Sequence, residues 1–265
     1  MHGLEEGVVF DVEVTMFAAW RNWRDKRRVK KMGYTVAEWE AAVADWPVLQ
    51  RYPGEARARL RDLSFRFLAR KSIAPGSGFV ITDAMCLRIA TMACVPILEL
   101  GLDWYDGWYT VILYEGDFIP NRPWQSEDGV VHASGPVLAG EAWHQGPVIL
   151  SWQSVLEAGQ GSNVVIHEMS HKLDMRRNGA NGAPPLHPGM NPRQWHETFT
   201  AAWDRLFDDY EQHRPLSIDP YALTGPGEFF AVCSEAFFES PASLLRDWPD
   251  LYRLLAQFYR QGEQP

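Results

Sequence analysis

Two histidines four residues apart, His167 and His171, flank a glutamate that directly follows the first of them, in the run His167-Glu168-Met169-Ser170-His171. On a helix that spacing sets both imidazoles on one face, about one turn apart. Two imidazole nitrogens so placed can bind one Zn²⁺ at about 2.0–2.1 Å. Glu168 is rotated off that face, beside the ion rather than on it, where a carboxylate can take a proton from a zinc-bound water. The chemistry implied is hydrolysis with one Zn²⁺ per chain, and an HExxH helix serves peptide hydrolysis. A structural zinc needs no neighbouring base and usually has four protein ligands.

A catalytic zinc requires a third protein ligand and one open position. Arg177 stands where a metzincin would place a histidine, so that continuation is excluded. His187 and His196 are available in principle. Glu228 and Glu235 are stronger candidates, lying seven apart in Gly227-Glu228-Phe229-Phe230-Ala231-Val232-Cys233-Ser234-Glu235. They share a helix face among apolar neighbours, where a carboxylate is costly unless paired or metal-bound. One is expected to be the ligand and the other to hold a histidine N–H; the spacing does not choose between them. Asp174, three residues past His171, is a further candidate to accept an N–H from a ligand histidine, with a helix-end salt bridge to Arg176 or Arg177 as the plainer role.

The helix carrying the motif is expected to start near Ser162 or Asn163 and to stop at Asn178-Gly179. Helices are expected over about 227–239, over 194–210 with Trp195, Phe199, Ala202, Trp203 and Leu206 in a stripe, and over about 244–259. Residues 36–71 read as helical, with Leu60, Leu63, Phe67 and Leu68 on one face. Pro75-Gly76-Ser77-Gly78 is a break, and Thr82 or Asp83 caps a helix over roughly 83–98 that is apolar nearly all round and therefore buried. Trp108–Tyr114 and Val148–Trp152 read as strands, with loops and strand fragments over 117–145. Val148, Ile149 and Leu150 form the candidate substrate-binding strand, pairing with peptide backbone as a sheet edge; a core strand is the alternative. The fold class expected is α+β, mostly helical and zincin-like, with a small sheet and the HExxH motif on a central helix. One domain is expected over 36–265, with a helical part at about 36–75. Residues 1–35 read as a weakly specified leader whose basic cluster, Arg21 to Lys31, could touch a phosphate or an acidic partner but is expected as a solvated helix face or a loose tail.

The chain has 265 residues, 46% of them hydrophobic, and a net charge of 25 − 34 = −9. Such an acidic chain is a poor nucleic-acid binder, because phosphate neutralisation needs clustered positive charge. Cys86, Cys94 and Cys233 fit no CxxC pattern and are expected as reduced thiols. The longest apolar run, Ile89 to Leu102, is too short for a membrane span. With no secretory signal visible, a cytoplasmic location without a membrane segment is expected.

Beyond the motif, Ile166-His167-Glu168-Met169-Ser170-His171-Lys172-Leu173-Asp174 resembles the zinc segment of the Mlc titration factor A (MtfA) family. So do Leu98 to Gly107, Gln145 to Trp152 and Glu228 to Phe238, in the family's order, over about residues 38–260. The resemblance implies a zinc aminopeptidase whose core is similar to that of anthrax lethal factor. It implies Glu228 as the third ligand, leaving Glu235 behind a ligand histidine, and it matches Tyr221 to a tyrosine that could stabilise the oxyanion. It also implies a peptide or protein substrate and a possible partner of the Mlc repressor type. A repressor-sequestering protein with a structural or vestigial zinc is the rival reading.

Overall fold

The structure is a computed structural model that describes residues 20–118, 124–125, 131–132, 139–143, 145–159, 161–177 and 179–262. Its first element, helix α1 over 20–32, lies in the segment read as a leader. It docks because Asp25 is fully buried and pairs with Arg70 at 2.7 Å. Lys26, Arg27, Lys30 and Lys31 stay exposed. Helix α2 (Val36–Val43) opens with a capping box between Thr35 and Glu38. Helix α3 (Gly54–Arg70) buries Leu60, Leu63 and Phe67, the expected apolar face. Helix α4 (Asp83–Cys94) is capped by Thr82 and is buried from Leu87 onward. It stops four residues short of expectation. Pro96 has no N–H to continue the ladder, and residues 96–100 form turns.

The sheet has four strands in the order β1-β2-β6-β5, and a separate antiparallel ribbon pairs β3 (Trp124–Gln125) with β4 (Val131–His132). Strands β1 (Ser72–Pro75), β2 (Thr110–Tyr114) and β6 (Val148–Ser151) run parallel, while β5 (Gly140–Ala142) returns antiparallel to β6. The strand expected as a sheet edge is therefore interior. Val148, Ile149 and Leu150 pair with Val111, Ile112 and Leu113 on one side and with Ala142, Glu141 and Gly140 on the other. Both rows of their backbone groups are taken, so they cannot add a substrate strand. Among the described residues, the outermost strand on the motif side of the sheet is β5.

After the short helix α5 (Trp152–Leu156), helix α6 (Val164–Asp174) carries the motif between β5 and helix α8 (Pro226–Glu239). It ends at Asp174 rather than near Asn178, and residues 175–177 turn away. Helix α7 (Pro192–Glu211) buries Trp195, Phe199, Ala202 and Leu206. The expected last helix is two, α9 (Pro241–Asp247) and α10 (Pro249–Tyr259). Trp248 sits outside the helical region at φ −137°, and Pro249, lacking an N–H, starts afresh at the first helical position. Helix α8 is buried along most of its length, with Phe230 packed on Phe258 and Tyr259. The assembly is mostly helical with a small sheet, as the α+β reading has it. Cys94 and Cys233 are buried and Cys86 half-buried, all as free thiols. No helix among the described residues is long and apolar enough to cross a membrane.

Candidate metal centre

Asn163 fixes where α6 begins. Its Oδ1 accepts from the amides of Val165 at 3.0 Å and Ile166 at 3.1 Å, satisfying two of the free N–H groups of the first turn. One turn on, His167 and His171 project towards α8 and meet Glu228. His167 Nε2 lies 2.9 Å from Glu228 Oε2, His171 Nε2 lies 3.2 Å from it, and the two imidazole nitrogens are 3.2 Å apart. One donor atom from each residue lies within 4.8 Å of the others, the one such cluster among the described residues.

Glu235 stands behind this cluster. Its Oε1 accepts from His167 Nδ1 at 2.7 Å, and its Oε2 accepts the Asn163 amide at 2.5 Å and the Ser162 hydroxyl at 3.1 Å. With the Nδ1 proton committed to Glu235, the neutral tautomer of His167 turns a bare Nε2 lone pair towards Glu228. Acceptor then faces acceptor, a conflict that a metal ion or a second ring proton relieves. Burial disfavours charge on His167, yet hydrogen bonds to Glu228 and Glu235 outweigh it and raise its pKa. Burial likewise opposes ionisation of Glu228, but the two histidines overcome it and hold that carboxyl well below the usual range. Two imidazoles and a carboxylate suit Zn²⁺, so the residues fit a metal.

Glu168 is buried beside the cluster, with Oε2 lacking a hydrogen-bond partner. Burial pushes its carboxyl up to about 7, against the opposing pull of His167 and His171. Strand β5 lies directly over it: a Cβ added at Gly140 would stand 2.5 Å from Glu168 Oε1. Tyr221 comes from the 3-10 turn Pro220–Thr224, where Asp219 Oδ1 accepts its amide at 2.8 Å. Its ring is 6.0 Å from that of His167, it is 48% exposed, and burial with nearby Glu228 and Glu168 raises its hydroxyl to about 12. Gly140, His167, Glu168, Tyr221, Val232 and Glu235 share one open cleft of ≈ 300 Å³.

Asp174 does something other than expected. Its Oδ2 accepts the Gly182 amide at 2.7 Å, while His171 Nδ1 and Asp174 Oδ1 have no partner. It makes no ion pair with Arg176 or Arg177 among the described residues; Arg176 instead stacks over Trp104. One turn past the motif, α6 ends and the returning loop claims the carboxylate. His187 bonds the Phe258 carbonyl at 2.8 Å and, like His196, lies outside the donor cluster. Two contributors were not singled out from the sequence. Gly140 sits in a three-residue strand with no pattern to mark it. Lys172, buried after His171, donates to the carbonyls of Trp143 and Gly146 and ties the β5–β6 hairpin to α6.

Comparison with known proteins bears on this geometry directly. The family model for the glucose-regulated metallo-peptidase M90 matches residues 20–260. Mlc titration factor A of Pectobacterium atrosepticum is 38% identical over 231 residues, covering 86% of this chain and 87% of that protein. Mlc titration factor A of Serratia proteamaculans is 39% identical over 232 residues, covering 86% and 88%. Mlc titration factor A of Salmonella agona is 37% identical over 227 residues, covering 84% and 85%. A match of this extent shows that the chain belongs to the glucose-regulated metallo-peptidase M90 family, and its fold gathers side chains that could hold a metal from α6 and α8.

Proposed function

We propose that this metallopeptidase uses one Zn²⁺, held by His167, His171 and Glu228, to hydrolyse peptide bonds as an aminopeptidase. The observation that carries the reading is the convergence of three donor atoms within 4.8 Å, with a buried carboxylate, Glu168, beside them. When bound, the ion supplies Lewis-acid polarisation of the scissile carbonyl and of water.

The chain's own residues do the rest. Glu168 takes a proton from the attacking water and passes it to the departing amine, a role suited to a buried carboxyl beside the donor cluster with one oxygen unpartnered. Glu235 keeps the Nδ1 proton of His167 in place and so leaves Nε2 free to bind. Tyr221, on the open side of the cleft, donates its hydroxyl proton in a hydrogen bond to the carbonyl oxygen as charge builds there. The substrate backbone runs along β5, the outermost strand of the sheet among the described residues, which places its carbonyl over the cleft that Gly140 lines.

Glu168→Gln tests this assignment. The variant is expected to retain one zinc per chain and to lose hydrolysis of an amino-acid anilide by about 10²–10⁴-fold, the contribution of a positioned general base. Full activity in Glu168→Gln overturns the mechanism. A second reading rests on the name of the relatives, Mlc titration factor A, which describes titration of Mlc. A repressor of that type is then a partner, and with the free thiols it argues for a cytoplasmic location. Equal capture of the repressor by wild type and Glu168→Gln, without cleavage, separates binding from catalysis.

A further inference from the structure

The two histidine ligands ride on α6, whereas Glu228 rides on α8, and two glycines show how tightly the intervening chain is pressed between these helices. A Cβ added at Gly182, whose φ is +75°, would stand 2.6 Å from the Pro226 carbonyl oxygen. A Cβ added at Gly227 would stand 2.9 Å from the Ala180 carbonyl oxygen. Residues 180–182 and the first turn of α8 thus pack backbone against backbone, with no flexible side chain between them to yield. Glu228 is the next residue along that turn.

The same strap is gripped from its other side. Asp174 Oδ2 accepts the Gly182 amide at 2.7 Å, and the Asn181 Oδ1 accepts the Ala183 amide at 3.1 Å, which tightens the turn around it. Trp195 Nε1 donates to the Gly182 carbonyl at 2.9 Å. Both backbone polar groups of Gly182 are therefore used. Asp174 is completely buried without an arginine or lysine partner among the described residues, so the Gly182 amide is the hydrogen bond that offsets the cost of its burial. It sits on α6 three residues beyond His171, so it moves with the histidines. Helix α6, the strap and the start of α8 thus form one continuous path of contacts from two ligands to the third.

We infer that Asp174 is a positioning residue: through the strap at 180–182 it sets Glu228 at the distance from His167 and His171 that a metal requires. This rests on the metal-centre reading above and adds to it the element that assembles the site.

The test measures Zn²⁺ affinity of the full chain by competition with a chromophoric chelator, alongside metal-free melting, for wild type, Asp174→Ala, Asp174→Asn and Gly227→Ala. Asp174→Ala is expected to weaken zinc binding by roughly 10–100-fold, the usual effect of losing a group that orients a ligand. Asp174→Asn keeps an acceptor for the Gly182 amide and is expected to recover most of that loss. If Asn behaves like Ala, the effect is one of charge and the inference falls. Gly227→Ala alters the strap contact without replacing a ligand or Asp174, and is expected to weaken zinc binding comparably; wild-type affinity in this variant overturns the inference even if Asp174→Ala does not fold. Lowered melting with wild-type zinc affinity in the folded Asp174→Ala and Gly227→Ala variants assigns a merely structural role and overturns the inference alone. Failure of wild type to bind Zn²⁺ overturns the metal-centre reading, and this inference with it.

Discussion

Glu235→Gln conserves volume and removes a single charge, yet the hydrogen-bond geometry leaves the new side chain no satisfactory orientation. The carboxylate is acceptor on both oxygens: Oε1 takes the His167 Nδ1 proton, and Oε2 takes the Asn163 amide and the Ser162 hydroxyl. Glutamine offers one oxygen and one NH₂. If the oxygen faces Asn163, the NH₂ faces His167 Nδ1, which must give up its proton and carry it on Nε2 instead. That nitrogen then has no lone pair for the metal, and zinc affinity is expected to fall by about 10–100-fold, or roughly 1.4–2.7 kcal/mol. If the oxygen faces His167, the NH₂ confronts the buried Asn163 N–H, and the unsatisfied pair at the start of α6 costs about 1–3 kcal/mol of folding stability. Chelator competition reads the first outcome, metal-free calorimetry the second, and ¹⁵N chemical shifts of His167 identify the tautomer. Wild-type values in both the zinc titration and the melt would refute the reasoning.

Three further perturbations follow from the same site. Gly140→Ala places a Cβ 2.5 Å from Glu168 Oε1 and 2.8 Å from Val164 Cγ2, so it must shift the base or the strand; peptidase activity is expected to drop about 10²-fold with zinc retained, since misplacement by an ångström costs that much. Tyr221→Phe preserves the ring and removes the hydroxyl; kcat is expected to fall about 10²–10³-fold with zinc stoichiometry unchanged, and an unchanged kcat would free Tyr221 of any oxyanion role. In the metal-free protein Glu168 is raised to about 7 by burial, so between about pH 4.5 and 7 the folded state holds a proton the unfolded chain has released. Stability is thus expected to fall as pH rises through that window, and melting curves of Glu168→Gln should show a shallower decline; an equal slope in both proteins contradicts a strongly raised Glu168.

Much of the centre is legible in the sequence because it is local. His167, Glu168 and His171 lie within two turns of a helix, and helix periodicity alone says which of them face one way. Glu228 and Glu235 are equally local to each other, but their seven-residue spacing puts them on one face and cannot order them. What separates them is the docking of α8 on α6, which brings Glu228 to both Nε2 atoms and Glu235 to Nδ1 of one histidine and to the Asn163 amide. Strand β6 shows the opposite limit. Its apolar run marks it as a strand, but whether it is edge or interior depends on β5, three residues of Gly-Glu-Ala with no β signal. Asp174 differs from expectation for a related reason: periodicity sets it one turn past His171, while its partner, the Gly182 amide, arrives from an irregular loop that periodicity does not reach.

The most direct test of the metal-assisted peptidase reading is a titration of metal-stripped protein with Zn²⁺ while hydrolysis of an amino-acid anilide is followed. Activity is expected to rise from baseline and level off at one zinc per chain, as the donor set of His167, His171 and Glu228 requires. Stoichiometric zinc binding without hydrolysis of the anilide or of longer peptides would contradict a catalytic role, and leave the ion a structural part of a binding protein.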